Sequence, residues 1–230
     1  MVGDFFDAYS SRIDISGGTL SNIVASLGTE LNISNGSTIA IDVFSSVVNI
    51  SDGTTGAVRV YSGSVANIDG GNIGNFSRAF TGSVVNISGG TLGEFEASAN
   101  SEVNIFGSEF FLGGVPLDGL VIGEAFTIVG RDSVLSGRLT SGEEFSFGTD
   151  NLCQAELDDF FDPDGTLTVT LTAPFLLGDV NQDDVVDFSD IAPFIEVLSN
   201  QTFQAEADTD GNEVVDFFDI PPFINILIGQ

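Results

Sequence analysis

The sequence predicts a mainly β protein: a parallel β-solenoid of about six 18-residue coils, a β-rich cap, and a small α-helical domain at the C-terminal end. Three observations predict it. One short motif recurs six times at near-constant spacing, strand-like alternation then continues without that period, and an acidic segment is duplicated with apolar residues at helical spacing after each copy. The expected boundaries are 1–114 for the coils, 115–175 for the cap and 176–230 for the C-terminal domain.

The recurring motif reads IDISGG, LNISNG, VNISDG, ANIDGG, VNISGG and VNIFGS. Its anchor isoleucines are Ile15, Ile33, Ile50, Ile68, Ile87 and Ile105, at intervals of 18, 17, 18, 19 and 18 residues. Two residues before each anchor stand Ile13, Leu31, Val48, Ala66, Val85 and Val103, and a spacing of two puts both columns on one face of a strand. Eight residues after the anchors, Ile23, Ile41, Val58, Phe76 and Phe95 form a third apolar column. A single unit cannot bury these positions, so coils must stack, with each strand pairing to the coils before and after it. Between the two anchor-side columns lies an outward one of Asp14, Asn32, Asn49, Asn67, Asn86 and Asn104. Amides repeated at one strand position can hydrogen-bond along the stack as a ladder. That reading also makes the Asn-x-Ser sequons at Asn32, Asn49 and Asn86 a coincidence rather than glycosylation sites.

Beyond Leu112 the period stops, while alternation persists at FTIV (126–129), FSF (145–147) and LTVTL (167–171). The segment Leu139-Thr140-Ser141-Gly142-Glu143 reads as a hairpin turn, and the acidic stretch 156–165 as a surface loop. An open solenoid end invites end-to-end strand pairing, which gives a β-rich cap a physical purpose.

The chain of 230 residues carries 34 Asp and Glu against five basic residues, all Arg, for a formal charge of -29. Nucleic acid is excluded as a partner, because binding it needs a basic footprint to release counterions from phosphate. Cations are the natural partners of such a surface. The single cysteine, Cys153, permits no intrachain disulfide and reads as a buried, inert thiol. No stretch is long and apolar enough to span a bilayer, and Met1–Ser10 lacks the pattern of a signal peptide.

Residues 179–190 read DVNQDDVVDFSD and residues 208–219 read DTDGNEVVDFFD, two copies 29 positions apart. Calcium takes about six to eight hard oxygen ligands, and a loop of about twelve residues presents them from positions 1, 3, 5, 7, 9 and 12. In the first copy these are Asp179, Asn181, Asp183, the carbonyl of Val185, Asp187 through water, and Asp190. In the second they are Asp208, Asp210, Asn212, the carbonyl of Val214, Asp216 and Asp219. Two calcium ions are therefore expected. Position 6 is Asp184 in one loop and Glu213 in the other, where a left-handed backbone favours glycine, and Glu tolerates it less well than Asp. The second site is accordingly expected to be the weaker. After the loops, Ile191, Phe194, Ile195 and Leu198, then Ile220, Phe223, Ile224 and Leu227, fall at helical spacing, which predicts two amphipathic helices packed together.

This duplicated loop-and-helix arrangement, with its repeated VVDF-x-DI-x-PFI, resembles the type I dockerin family over roughly residues 176–230. The resemblance implies calcium-dependent folding and docking onto a cohesin-like partner in extracellular polysaccharide-degrading assemblies. Where cohesin-recognising members carry small hydroxylated residues, this chain has Phe188-Ser189 and Phe217-Phe218. The whole chain is similar to bacterial secreted proteins that join a β-solenoid to such a module. The expected function is that of a non-catalytic extracellular structural or attachment protein, secreted or at the cell surface, with a cohesin-like or cell-envelope partner. Loops of extracellular calcium strength, roughly 10⁻⁴ to 10⁻³ M, would stay largely empty in a cytosol. The alternative is a polysaccharide-active β-helix enzyme or accessory subunit. Without His or Lys, proton abstraction in it would rest on Arg59 and Arg78, one coil apart, and no catalytic residue is assigned.

Overall fold

The computed structural model of the chain describes residues 5–74, 77–130, 132–149, 159–172, 176–183, 185–200, 202–204, 206–210 and 214–229. Cys153, Phe76, Asp184, Asn212, Glu213 and residues 156–158 of the acidic stretch lie outside them. The chain divides into two compact units between residues 173 and 174.

The first unit is a parallel β-solenoid of about five turns. It opens with the short β1 (Phe5–Tyr9), followed by the long strands β2 (Arg12–Ser26) and β3 (Glu30–Phe44). Later coils break into shorter pieces: β4 (Val47–Ile50), β5 (Thr54–Thr55), β6 (Val58–Val60), β7 (Val65–Ile73), β8 (Ser77–Ala79), β9 (Val84–Leu92), β10 (Phe95–Ala97) and β11 (Glu102–Leu112). The anchors stack in register, Ile15 on Ile33, Ile50, Ile68, Ile87 and Ile105. From Leu31 to Ile105 both anchor-side columns are buried, as are Ile23, Ile41, Val58 and Phe95 of the third. A fourth inward column, Ala25, Val43, Val60, Ala79 and Ala97, lies two residues further on. Ile13 and Ile15 are only partly buried, because residues 12–15 of β2 pair on one side only, with β3, among the described residues.

Part-way along each coil the backbone bends at Gly36, Gly53, Gly71 and Gly90, at φ of 111°, 98°, 83° and 82°. Each glycine also packs on the one before: a Cβ on Gly71 would sit 2.9 Å from the carbonyl oxygen of Gly53. Handedness and close approach thus both require glycine in this column.

The outward amides form the expected ladder. Asn32 donates to Asp14 at 2.8 Å, Asn49 to Asn32 at 2.7 Å, Asn67 to Asn49 at 2.7 Å, Asn86 to Asn67 at 2.8 Å and Asn104 to Asn86 at 3.0 Å. The amide of Asn32, helped by Arg12, holds the Asp14 carboxyl below its ordinary value of 3.8. A carboxyl lowered by folding contributes stability above its unfolded value and loses it as pH falls through the folded one. We expect an NMR titration to place the Asp14 midpoint below 3.8, and Asn32→Ala to move it back up.

The cap belongs to the same unit. It comprises β12 (Val115–Pro116), β13 (Ala125–Thr127), β14 (Val134–Leu139), β15 (Glu144–Gly148), β16 (Phe160–Phe161) and β17 (Thr166–Leu171). β14 and β15 form the hairpin expected at Gly142, whose φ is 102°. β17 extends the solenoid by pairing in parallel with β11, Val103 to Leu167 and Ile105 to Val169, and Thr168 ends the ladder by donating to Asn104 at 2.6 Å. The reading of 156–165 as a surface loop holds at residues 162–165, a turn with Pro163 and Asp164 exposed, and is corrected at residues 159–161. β16 pairs with β10, Phe161 is buried against Phe95 and Phe147, and Asp159 accepts from the backbone of Phe95 and Gly148. Burying two aromatic faces outweighs the acidic surroundings that suggested solvent exposure.

In the second unit a 3-10 turn (Phe188–Asp190) leads into helix α1 (Ile191–Asn200), and Asp219 precedes helix α2 (Ile220–Ile228). Pro221 and Pro222 occupy the first turn of α2, where a missing amide costs least. The core consists of Val180, Phe194, Val197, Ala207, Val215 and Phe223, with Leu198, Ile220 and Leu227 against it, and the rings of Phe194 and Phe223 stack at 4.0 Å. The expected stripes are corrected in part: Ile191, Ile195 and Ile224 are exposed, the last two at 55 % and 48 %. Stacking Phe194 on Phe223 turns α1 so that Val197 and Leu198 face the core instead of Ile195.

Candidate metal centre

Each acidic loop is organised around the carboxylate at its last position. Asp190 and Asp219 are fully buried, although each stands at the start of a helix. Their burial is tolerated because both oxygens are hydrogen-bonded to the loop backbone. Asp190 accepts from the amides of Asn181 at 3.0 Å and Asp187 at 2.8 Å. Asp219 accepts from those of Asp210 at 3.0 Å and Asp216 at 2.8 Å. The two loops thus share one wiring, in which the twelfth residue ties together positions 3 and 9.

In the second loop this wiring gathers charge. Asp208, Asp210 and Asp219 each place an oxygen within 4.8 Å of the others. No Lys, Arg or His follows Arg138 in the chain, so this module holds no cationic side chain of its own to balance them. Carboxylates so close repel one another, and two of these three are largely withdrawn from water. The arrangement is suited to a hard divalent cation with oxygen ligands. Thr209 adds a support that the spacing rule does not name, its hydroxyl donating to the carbonyl of Asp219 at 2.6 Å. Asp216 turns toward the helix, accepting from the amide of Phe218 at 2.6 Å.

The first loop joins the same positions through hydrogen bonds. Asp183 donates its amide to Asp179 at 3.1 Å and to the side chain of Asn181 at 2.9 Å, and its own carboxylate accepts from Val185 at 3.0 Å. The side-chain Nδ2 of Asn181 donates to the Asp183 carboxylate and to the Ser189 hydroxyl. Asp187 caps the following turn, and its bonds from Ser189 hold its carboxyl below the ordinary range. The difference between the loops is chemical: position 3 is the amide Asn181 in one and the carboxylate Asp210 in the other, so positions 1, 3 and 12 make an all-carboxylate triad only in the second. Val185 and Val214, expected to contribute carbonyls, have exposed side chains, and Asn212 lies outside the described residues.

Elsewhere the solenoid brings Arg59 and Arg78 into register, as their one-coil spacing suggests, but each is engaged by a carboxylate. Arg59 meets Asp42 at 2.9 Å and Arg78 meets Glu96 at 3.1 Å. Among the described residues no helix is long and apolar enough to cross a membrane. No family model matches the chain, and neither a curated protein nor a solved structure matches it.

Proposed function

We propose that this chain is a non-catalytic extracellular structural or attachment protein. In this reading the six recurrences each form a coil of a rigid spacer, and the last fifty or so residues are a dockerin-like module that binds two calcium ions and anchors it. One observation carries the reading: Asp208, Asp210 and Asp219 gather in a segment whose sequence and hydrogen-bond wiring are repeated 29 positions earlier. A loop pair of this kind folds with its metal, since the ion supplies the charge balance that the side chains lack. Sites of extracellular strength match an exported protein and a cohesin-like or cell-envelope partner.

Retention of the full chain on the cell envelope of its source in millimolar calcium, with release by a chelator, is the expected behaviour. Retention that ignores the chelator would remove the anchoring role.

A further inference from the structure

At one corner of the solenoid, successive coils carry Tyr9, Ser26, Phe44, Tyr61, Phe80 and Ser98 at one position. Tyr9, Ser26 and Phe44 are register partners, and the backbone bonds of Tyr61, Phe80 and Ser98 to the preceding coils continue the column. The corner keeps one hand throughout, with Ser10, Leu27, Ser45, Gly63, Gly82 and Asn100 all at positive φ. Phe44 stacks on Tyr61 at 4.1 Å and Tyr61 on Phe80 at 4.4 Å.

The two ends of this three-ring stack differ. Beyond Phe80 the column holds Ser98, and the space a ring would take is filled by the planar guanidinium of Arg78. It lies 4.7 Å from the Phe80 centroid, donates to the Ser98 hydroxyl at 3.4 Å and pairs with Glu96. Beyond Phe44 the column again holds a serine, Ser26, whose hydroxyl is turned to the backbone carbonyl of Ala8. Among the described residues no ring or cation stacks on this second face of Phe44, which is 38 % exposed. One coil further on stands Tyr9, 56 % exposed. Two strand spacings, roughly 9 to 10 Å, separate the Tyr9 and Phe44 positions, enough for one flat group between them.

The neighbouring outward column repeats the arrangement in charge. Asp7 and Asp42 flank Val24 just as Tyr9 and Phe44 flank Ser26. The Oδ1 of Asp42 is buried and paired with Arg59 Nε at 2.9 Å, so the exposed carboxylate of this column is that of Asp7. An aromatic face beside a carboxylate, on a chain of charge -29, suits a planar cation.

We infer that the Ser26 rung is a slot for the guanidinium of an arginine side chain presented by a basic partner protein, stacked on Phe44 beneath Tyr9 and paired with Asp7. The internal template is Arg78 with Phe80 and Glu96. A lysine ammonium, a compact point charge, lacks the flat face the slot requires.

The chain has no Trp and two Tyr, so Tyr9 and Tyr61 report directly on the corner by fluorescence. Titrating the full chain with N-acetyl-argininamide is expected to give a saturable tyrosine change in the millimolar range. N-acetyl-lysinamide is expected to bind roughly tenfold more weakly. Ser26→Phe fills the rung and is expected to abolish the response while raising the melting temperature. If that variant fails to fold, Phe44→Leu, which keeps an apolar side chain but removes the stacking face, is expected to lose the response instead. No saturable change, an equal response to the lysine analogue, a response unchanged in the folded variant, or saturation by a neutral disaccharide alone would each overturn the assignment.

Discussion

Replacing Asp219 by Ala should abolish calcium binding at the second loop and strip the C-terminal unit of much of its stability. Asp219 supplies one of the three gathered carboxylates and is also the acceptor for the amides of Asp210 and Asp216. Its loss leaves two loop N–H groups without their partner, at a cost of about 1–3 kcal/mol each where water cannot reach. Removing a ligand should weaken the metal by more than the roughly 10- to 100-fold typical of losing an outer support. Calorimetry and a melting curve, each with and without calcium, separate the two effects. In calcium-free buffer the variant should still melt lower than the parent, because the amide contacts are lost whether or not the ion is bound. Asp219→Asn keeps an acceptor but gives up the charge, so it should retain more stability than Asp219→Ala and bind calcium nearly as poorly.

The second large effect lies in the solenoid. Ile68 is buried in the middle of the anchor column, in register with Ile50 on one side and Ile87 on the other. Ile68→Asp puts a carboxylate where apolar side chains surround it, with an expected cost of several kcal/mol, enough to end cooperative folding of the first unit. Its chain neighbour is the control. Asn67 points outward, donating to Asn49 and accepting from Asn86, so Asn67→Ala should cost only about 1–3 kcal/mol. Circular dichroism melts of the two variants test the alternation directly. Equal losses, or a larger loss at Asn67, would contradict the alternation.

Much of the solenoid is written in the sequence because stacking forces identical environments onto equivalent positions. Ile33 through Ile105 must fill the same kind of hole, and Asn32 through Asn104 must reach the amide one coil away. The period stops being legible at Leu112, where the physics no longer repeats. β17 rejoins the stack after an antiparallel excursion, so Leu167 and Val169 continue columns whose last members lie 64 residues earlier. Local pattern gives no distance of that kind. Phe160 and Phe161 were obscured by their acidic neighbours, and only the tertiary contacts with Phe95 and Phe147 reveal the strand.

The loops show a similar division. Ligand spacing identifies Asp208, Asp210 and Asp219 as a group, since oxygen chemistry and loop length alone constrain those positions. Spacing does not reveal that Asp190 and Asp219 are held by backbone amides, nor that Thr209 braces Asp219. The apolar faces of α1 and α2 were legible as helical but not in rotation, because heptad-like spacing admits several neighbouring stripes. The stack of Phe194 on Phe223 selects one. The aromatic corner at Phe44, Tyr61 and Phe80 falls between the recurring motifs, and only the coil register shows that these side chains share a column.

Whether the two C-terminal loops wrap calcium is decided by isothermal calorimetry of the full chain with calcium, followed in parallel by far-ultraviolet circular dichroism. The expected result is about two ions per chain with a gain of helix, falling to about one ion in Asp219→Ala. No binding heat at millimolar calcium, or an undiminished signal in a variant lacking both Asp190 and Asp219, would contradict it.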